Sequence, residues 1–374
     1  MTEMRETVAV EGRWLKVLRL VGVPFVSVLL AMTVGSIIIV LTGGDPVAAF
    51  AALLQGAFGG PVQIGETILR TTPLIFTGLA VAFGFRANLF NIGAEGQLAM
   101  GALAAAWFGI LLGGLAPGLA IPLVMLGGAL FGAAWAFIPA LLKARVGAHE
   151  VITTMMFSWI ALYLVSWIVT GPLSDKSGIP ETPMLSPSVW LATLDKFIPG
   201  IPPVRAHLGF LIALAAVVLV WWVLARTTLG YSVRAVGFNG PAAENGGISI
   251  AWTTIWALCI SGALAGMAGA SEVLGVQHRL FDQVSASSGF GFTGIAVALL
   301  AKNNPTGVVF SALLFGALAA GAGNMQLEAN ISPQIITVVQ GLIIFFVGAD
   351  TIVTWLIKRR QKLALEAQVV TDAE

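Results

Sequence analysis

The chain has 374 residues, of which 57% are hydrophobic and only 10% charged, with a mean hydropathy of +0.93. A soluble domain carries about 25% charged residues, so this composition specifies an all-α polytopic membrane protein. A formal net charge of +1 lacks the basic footprint of a nucleic-acid binder, and the lone cysteine, Cys259, excludes a disulfide framework and a Cys-based metal site. No metal or cofactor is implied.

Ten apolar segments follow one another. The first, Val17–Leu41, is longer than the about 7–15 residues of a signal-peptide core, so it reads as a retained first span. The others are Gln63–Phe85, Gly96–Gly113, Ala116–Leu142, Val151–Gly171, His207–Ala225, Trp252–Leu274, Gly289–Ala301, Pro305–Gly323 and Pro333–Ile357. A span needs about 17–25 residues, so Gly289–Ala301 is too short to cross alone; it borrows from 283–288 or is broken. Residues 45–58 predict a short helix on the outer surface. Placing both termini in the cytoplasm leaves only Arg70, Lys176, Lys196, Arg205 and Arg279 of the 19 basic residues outside. Cytoplasmic loops carry the excess of Lys and Arg, so the topology is N-in and C-in. Residues 1–16 are then a cytoplasmic segment, 17–357 the transmembrane domain with a cytoplasmic loop over 226–250, and 358–374 a cytoplasmic tail. The longest outer loop, Pro172 to Ala206, is a lid or a docking surface.

The most informative stretch runs from Arg86 to Gly101. It holds Arg86, Asn88, Asn91, Glu95 and Gln97 between two apolar segments. Side chains this polar do not face lipid, where a charge costs about 2.5–3.5 kcal/mol on insertion scales. The stretch is a break between two membrane helices. Either its Asn and Glu side chains cap helix ends, with Asn91 as an N-cap, or the break lies on a solute path. Glu66 and Arg70 are four residues apart and predict a pair on one helical face. His149-Glu150 is not part of a metalloprotease pattern, since the residue four beyond the His is Thr153, and reads as a helix cap. Gly109/Gly113, Gly128/Gly132 and Gly262/Gly266 are small-xxx-small pairs that predict helix contacts. Gly289, Gly291 and Gly294 spell G-x-G-x-x-G, but without a βαβ unit they do not mark a dinucleotide site.

A second polar stretch, Arg226 to Ile248, lies on the cytoplasmic side. Pro241 suits a first helical turn, Asn239 or Gly240 caps it, and Gly246-Gly247 ends it. There is no Walker A pattern, so any ATP drive comes from another subunit. An internal echo relates Thr77–Asn88 to Thr293–Asn304, with a Gly-Ala-Leu-Ala-Ala run following each at Gly101 and Gly316. Both copies have the same orientation in this topology, which does not fit a simple inverted repeat.

Asn88–Gln97 resembles the signature of the permease subunits of bacterial ABC importers for nucleosides and simple sugars, relatives of the ribose and branched-chain amino-acid permeases. Glu150–Met156, Gly171-Pro172, Gly291–Leu300, Asn303–Gly307 and Gln340-Gly341 also look like motifs of that family. The loop at Arg234, Gly237, Asn239, Ala242, Ala243, Gly247 and Ile248 resembles the family's coupling helix, which docks on the ATPase. It departs at Pro241 and Glu244, where the family has an acidic and a basic residue. The resemblance implies an ABC type II-like importer permease of the bacterial inner membrane, with no ATP site of its own. It also implies a separate ATP-binding subunit, a second and different permease, an extracytoplasmic substrate-binding protein and surrounding lipid. Asn88, Asn91, Glu95, Gln97 and Asn303 would then line the path of a nucleoside or, as the alternative, a simple sugar such as a pentose. An ion-coupled secondary transporter would need paired carboxylates deep in the bundle, and Glu95 alone barely meets that.

Overall fold

The computed structural model describes residues 13–197, 199–282 and 289–348, with side chains from residue 25 onward. Its helices are α1 (Arg13–Leu41), α2 (Pro46–Phe58), α3 (Pro61–Arg86), α4 (Ala94–Leu111), α5 (Pro117–Val146), α6 (Glu150–Thr170) and α7 (Gly209–Arg226). Two short helices follow, α8 (Thr228–Phe238) and α9 (Gly240–Asn245), then α10 (Ile250–Glu272), α11 (Phe290–Leu300), α12 (Pro305–Ala329) and α13 (Gln334–Gly348). All ten apolar segments are helical over their described residues. Among those residues seven helices are long and apolar enough to cross a membrane, so the count of ten spans rests partly on shorter pieces. The N-terminal segment and C-terminal tail fall almost wholly outside the described residues, as does 283–288, from which α11 was expected to borrow.

Burial separates centre from rim. In their most apolar windows α3 and α4 are 83% and 78% buried, whereas α5, α6 and α7 reach only 33%, 28% and 33%. The break between α3 and α4 therefore sits at the centre of the bundle, and α5 to α7 turn apolar faces outward. The core is held by backbone contact. A Cβ on Gly266 would strike the Gly128 carbonyl, one on Gly132 the Gly262 carbonyl, and one on Gly101 the Gly266 carbonyl. These glycines bring α4, α5 and α10 together where larger residues would hold them apart. Gly109 and Gly113 instead face Leu185 and Ser186 of the outer loop.

The helix over 46–58 forms as expected, with Ala49, Ala52, Leu53 and Ala57 on the face that packs on α12, where Asn324 Nδ2 donates to the Ala52 carbonyl at 2.8 Å, and Val47, Leu54 and Phe58 exposed on the other. Two local expectations are corrected. Glu66 pairs with Arg205, arriving from the outer loop, at 3.3 Å rather than with Arg70. His149 makes no side-chain cap; Glu150 instead grips Lys143 of the preceding helix at 2.8 Å, across the left-handed turn at Gly147.

The repeated segments run in the same direction. α3 and α11 pack together, a Cβ on Gly294 would lie 2.6 Å from Thr77 Oγ1, and one on Gly78 would lie 2.7 Å from a Val297 methyl. Their C-terminal ends meet where Arg86 Nε donates to the Asn303 carbonyl at 2.9 Å. The echo thus joins two parallel neighbours, and its glycines lie at the crossing.

Candidate functional site

α3 ends because the chain turns left-handed at Asn88, φ 57°, with the Leu89 amide reaching back to the Gly84 carbonyl at 3.0 Å. The chain then re-enters the bundle. Asn91 is fully buried and donates from Nδ2 to Ser261 Oγ and to Gln97 Oε1, each at 2.8 Å. Gln97 Nε2 donates back to Asn91 Oδ1 at 3.1 Å, and the Ser261 hydroxyl donates to the Ala80 carbonyl at 2.6 Å. Ala80 lies six residues before the end of α3, about 9 Å along its axis, so Asn91 stands well inside the bundle. The Asn91 Oδ1 also accepts from the Gly93 amide at 3.0 Å, helping to open α4 from within.

Glu95 serves a different helix. Its two carboxylate oxygens accept from the Gly289 amide at 3.2 Å and the Gly291 amide at 2.6 Å, at the first turn of α11. An anion here satisfies orphan N–H groups and complements the helix dipole. Gly291 lets α11 approach, since a Cβ would sit 2.6 Å from Glu95 Cα. On its other flank α4 rests on α6, where Gly96 N donates to Ser158 Oγ at 3.3 Å. Two interrupted helices, α4 and α11, are therefore pinned to each other and to α3, α6 and α10. Ser158 and Ser261 escaped the sequence reading because a lone serine in an apolar helix carries no distinguishing pattern.

Asn88 and Asn303 stand apart from this network. Asn88 is exposed at the C-terminal end of α3, while Asn303, also left-handed, follows α11 with its Oδ1 buried and, among the described residues, without a hydrogen-bond partner. The five path candidates thus divide into a buried, bonded trio and a pair just beyond the C-terminal ends of α3 and α11.

The loop over 226–250 meets the end of α3. α9 forms as its sequence predicts: Asn239 Oδ1 accepts from the Ala242 amide at 3.1 Å, Pro241 occupies the first turn, and Gly247 leaves at φ +83°. Ala243 is buried and Ala242 exposed. The sequence did not reveal α8. It carries Arg234 and Gly237, and a Cβ on Gly237 would clash with the Arg86 carbonyl. The loop therefore rests directly on the end of α3.

At the outer end the long loop is stitched down. Thr182 N donates to the Leu280 carbonyl at 2.9 Å, Leu185 N to His278 at 2.8 Å and Leu191 N to Leu274 at 2.9 Å. Arg279 pairs with the buried Glu181 at 2.5 Å, and Trp190 stacks on His278 at 4.0 Å. His207 lies under Gly275, and its Nδ1 accepts from the Gly209 amide at 3.1 Å. Burial, aided by the nearby His278, pushes the His207 imidazole down to about 4.

Comparison with known proteins places this arrangement. Residues 63–348 match the family described as the permease component of branched-chain amino acid transport systems. A guanosine ABC transporter permease protein of Bacillus subtilis is 39% identical over 91% of this chain and 96% of its own. A glucose ABC transporter permease protein of Haloferax volcanii is 34% identical over 87% of this chain and 86% of its own. A second guanosine ABC transporter permease protein of Bacillus subtilis is 30% identical over 68% of this chain and 80% of its own. No solved structure matches.

Proposed function

Since the chain belongs to the family of permease components of branched-chain amino acid transport systems, we propose that the solute it carries is a nucleoside. It is a multi-pass subunit of an ABC importer in the cytoplasmic membrane. ATP hydrolysis resides in a separate subunit, and the family works with a substrate-binding protein. The nucleoside assignment is supported by the 39% identity to a guanosine permease along almost the full length of both chains. A simple sugar is the second reading, favoured by the similarity to a glucose permease. The partner permease is a different chain, an assignment supported by the two guanosine permease proteins of one organism that both resemble this one.

One observation carries the mechanism: α8 sits on the carbonyl end of α3, at the mouth of the broken-helix site. A displacement of α8 and α9 by the ATP-binding subunit reaches Arg86 and Asn88 without an intermediary. In this reading Arg234, Gly237, Asn239, Ala242, Ala243 and Gly247 form the coupling surface. Asn91, Glu95 and Gln97 fix the shape of the inner path, and Asn88 and Asn303 meet the solute at its exit. Uptake of labelled guanosine and of labelled glucose by cells expressing the complete importer tests the assignment. Guanosine uptake that excess unlabelled glucose leaves unchanged supports it; the reverse pattern replaces it with the sugar reading. Gln97→Ala tests the path: an unchanged rate and solute preference would remove Gln97 from it.

A further inference from the structure

Glu66, Arg70, Arg205 and Glu272 gather at the end of the bundle that carries the loop from Pro172 to Ala206, and only two of the four close into a pair. Arg205 takes the Glu66 carboxylate at 3.3 Å. The loop is seated on α3 beside it, since a Cβ on Gly65 would lie 2.9 Å from Val204 Cβ. Arg70, one turn along α3 from Glu66, is left without an ion pair among the described residues. It is exposed, although Leu69, Thr71 and Thr72 beside it are buried. An unpaired charge in the most buried of the spans belongs on a polar path rather than against lipid.

The hydrogen bond from Ser261 to the Ala80 carbonyl sets the register of α10 against α3. From that bond α3 reaches Arg70 in ten residues, about 15 Å. α10 starts near the Arg86 end and runs the other way, reaching Glu272 in eleven residues, about 16 Å. The two charges therefore stand at one level, and Glu272 lies within electrostatic reach of both Arg70 and Arg205. Glu272 is partly exposed and, among the described residues, in no ion pair either. Eleven residues make three turns, so Glu272 shares a face with Ser261, the hydroxyl to which Asn91 donates. Seven residues make two turns, so Arg70 shares a face with Thr77, on which Gly294 of α11 packs. Both side chains thus stand over the broken-helix site, on the faces of α3 and α10 that build it. They are close enough to attract and too far apart to close.

We propose that Arg70 and Glu272 form a second solute station, about 15 Å along the bundle from Ser261, and that it reads the base of a purine nucleoside before the solute reaches the break. A carboxylate only accepts and a guanidinium only donates, so together they suit a neutral solute that offers both kinds of group on one rigid rim. Guanine does so. Its N1–H and N2 amino group donate to a carboxylate, while O6 and N7 accept from the fork of a guanidinium. Arg205 has a positioning role: by holding Glu66 it keeps Arg70 available. The identity of the base rests on the nucleoside reading; the station as a solute contact does not.

The test uses the complete importer in proteoliposomes, with its substrate-binding protein in excess and loaded with guanosine or with inosine, which lacks the N2 amino group. Maximal transport rates are compared. Glu272→Gln is expected to lower the guanosine rate about tenfold and the inosine rate about threefold or less. Arg70→Gln is expected to lower both about tenfold, because O6 and N7 are common to the two bases. Glu272→Asp, which keeps the carboxylate, is expected to recover part of the lost discrimination. Glu66→Gln, one turn from Arg70 but engaged by Arg205, is expected to leave the ratio of the two rates as it stands. Wild-type rates in both Arg70→Gln and Glu272→Gln overturn the station. A fall of guanosine and inosine by one common factor in Glu272→Gln, or the same change of ratio in Glu66→Gln, overturns base recognition in favour of a structural charge cluster. An importer that carries glucose and neither nucleoside retires the nucleoside reading instead; the station then stands if both variants lower the glucose rate and falls if neither does.

Discussion

The two ends of the bundle are built on different principles. At the outer end the loop from Pro172 to Ala206 is held to the end of α10 by backbone hydrogen bonds, the Arg279–Glu181 pair and the Trp190–His278 stack. At the other end α8 and α9 bury Val233, Val236 and Ala243, set Gly230 on the Val223 carbonyl and Gly237 on the Arg86 carbonyl, and leave Tyr231, Phe238 and Ala242 exposed. The loop from Pro172 to Ala206 is tied to its neighbours by hydrogen bonds and an ion pair; the loop of α8 and α9 keeps large side chains exposed. One end is fastened by many bonds, and the other keeps an exposed surface.

That contrast can be broken first at its narrowest point. Gly237→Leu drives a side chain into the Arg86 carbonyl, so solute uptake is expected to fall to background while the protein still inserts and purifies as a monodisperse species. Transport assays alongside size-exclusion profiles separate the two outcomes. Ala242→Asp, on the exposed face of α9, is expected to lower uptake at least tenfold without changing thermal stability if α9 is the surface the ATP-binding subunit meets, and unchanged uptake would remove Ala242 from that role.

The outer end should answer in stability instead. Glu181→Gln strands the Arg279 guanidinium against a buried neutral amide and is expected to cost about 2 kcal/mol, read as a lowered melting temperature. Acid should loosen the same region. His207 has a folded pKa of about 4 against an ordinary 6.5, so the unfolded chain binds more protons between those values. Stability from this group is full above pH 6.5 and is lost as pH falls toward 4; a His207→Gln variant is expected to flatten that slope in thermal melts. The smallest effect is Asn239→Ala, which removes one cap from α9 and costs about 1 kcal/mol, seen as faster hydrogen exchange confined to residues 240–245.

Much of this was legible in the sequence because membrane chains exaggerate the signals. Every apolar segment became a helix, and the polar break at Arg86–Gly101 announced itself by what lipid would not tolerate. α9 was readable from Asn239, Pro241 and Gly246 because capping is local chemistry. What escaped was long-range. Spacing favoured Glu66 with Arg70, yet the loop delivers Arg205, 139 residues away in sequence. The partner of the helix over 46–58 was equally hidden, since Gly321 and Asn324 of α12 come from far along the chain. Glu95 was visible as an unusual charge. That it caps α11, almost 200 residues downstream, depended on topology that no local pattern contains.

The glycine contacts among α4, α5 and α10 have a mechanical consequence. Where backbone touches backbone at Gly101, Gly128, Gly132, Gly262 and Gly266, no side chain remains to act as a spacer that could yield, and the three helices lose the freedom to slide past one another. They behave as one stiff block. Any stroke applied to the cytoplasmic loop must then be taken up at the block's margins, in the left-handed joints at Asn88, Gly147 and Asn303.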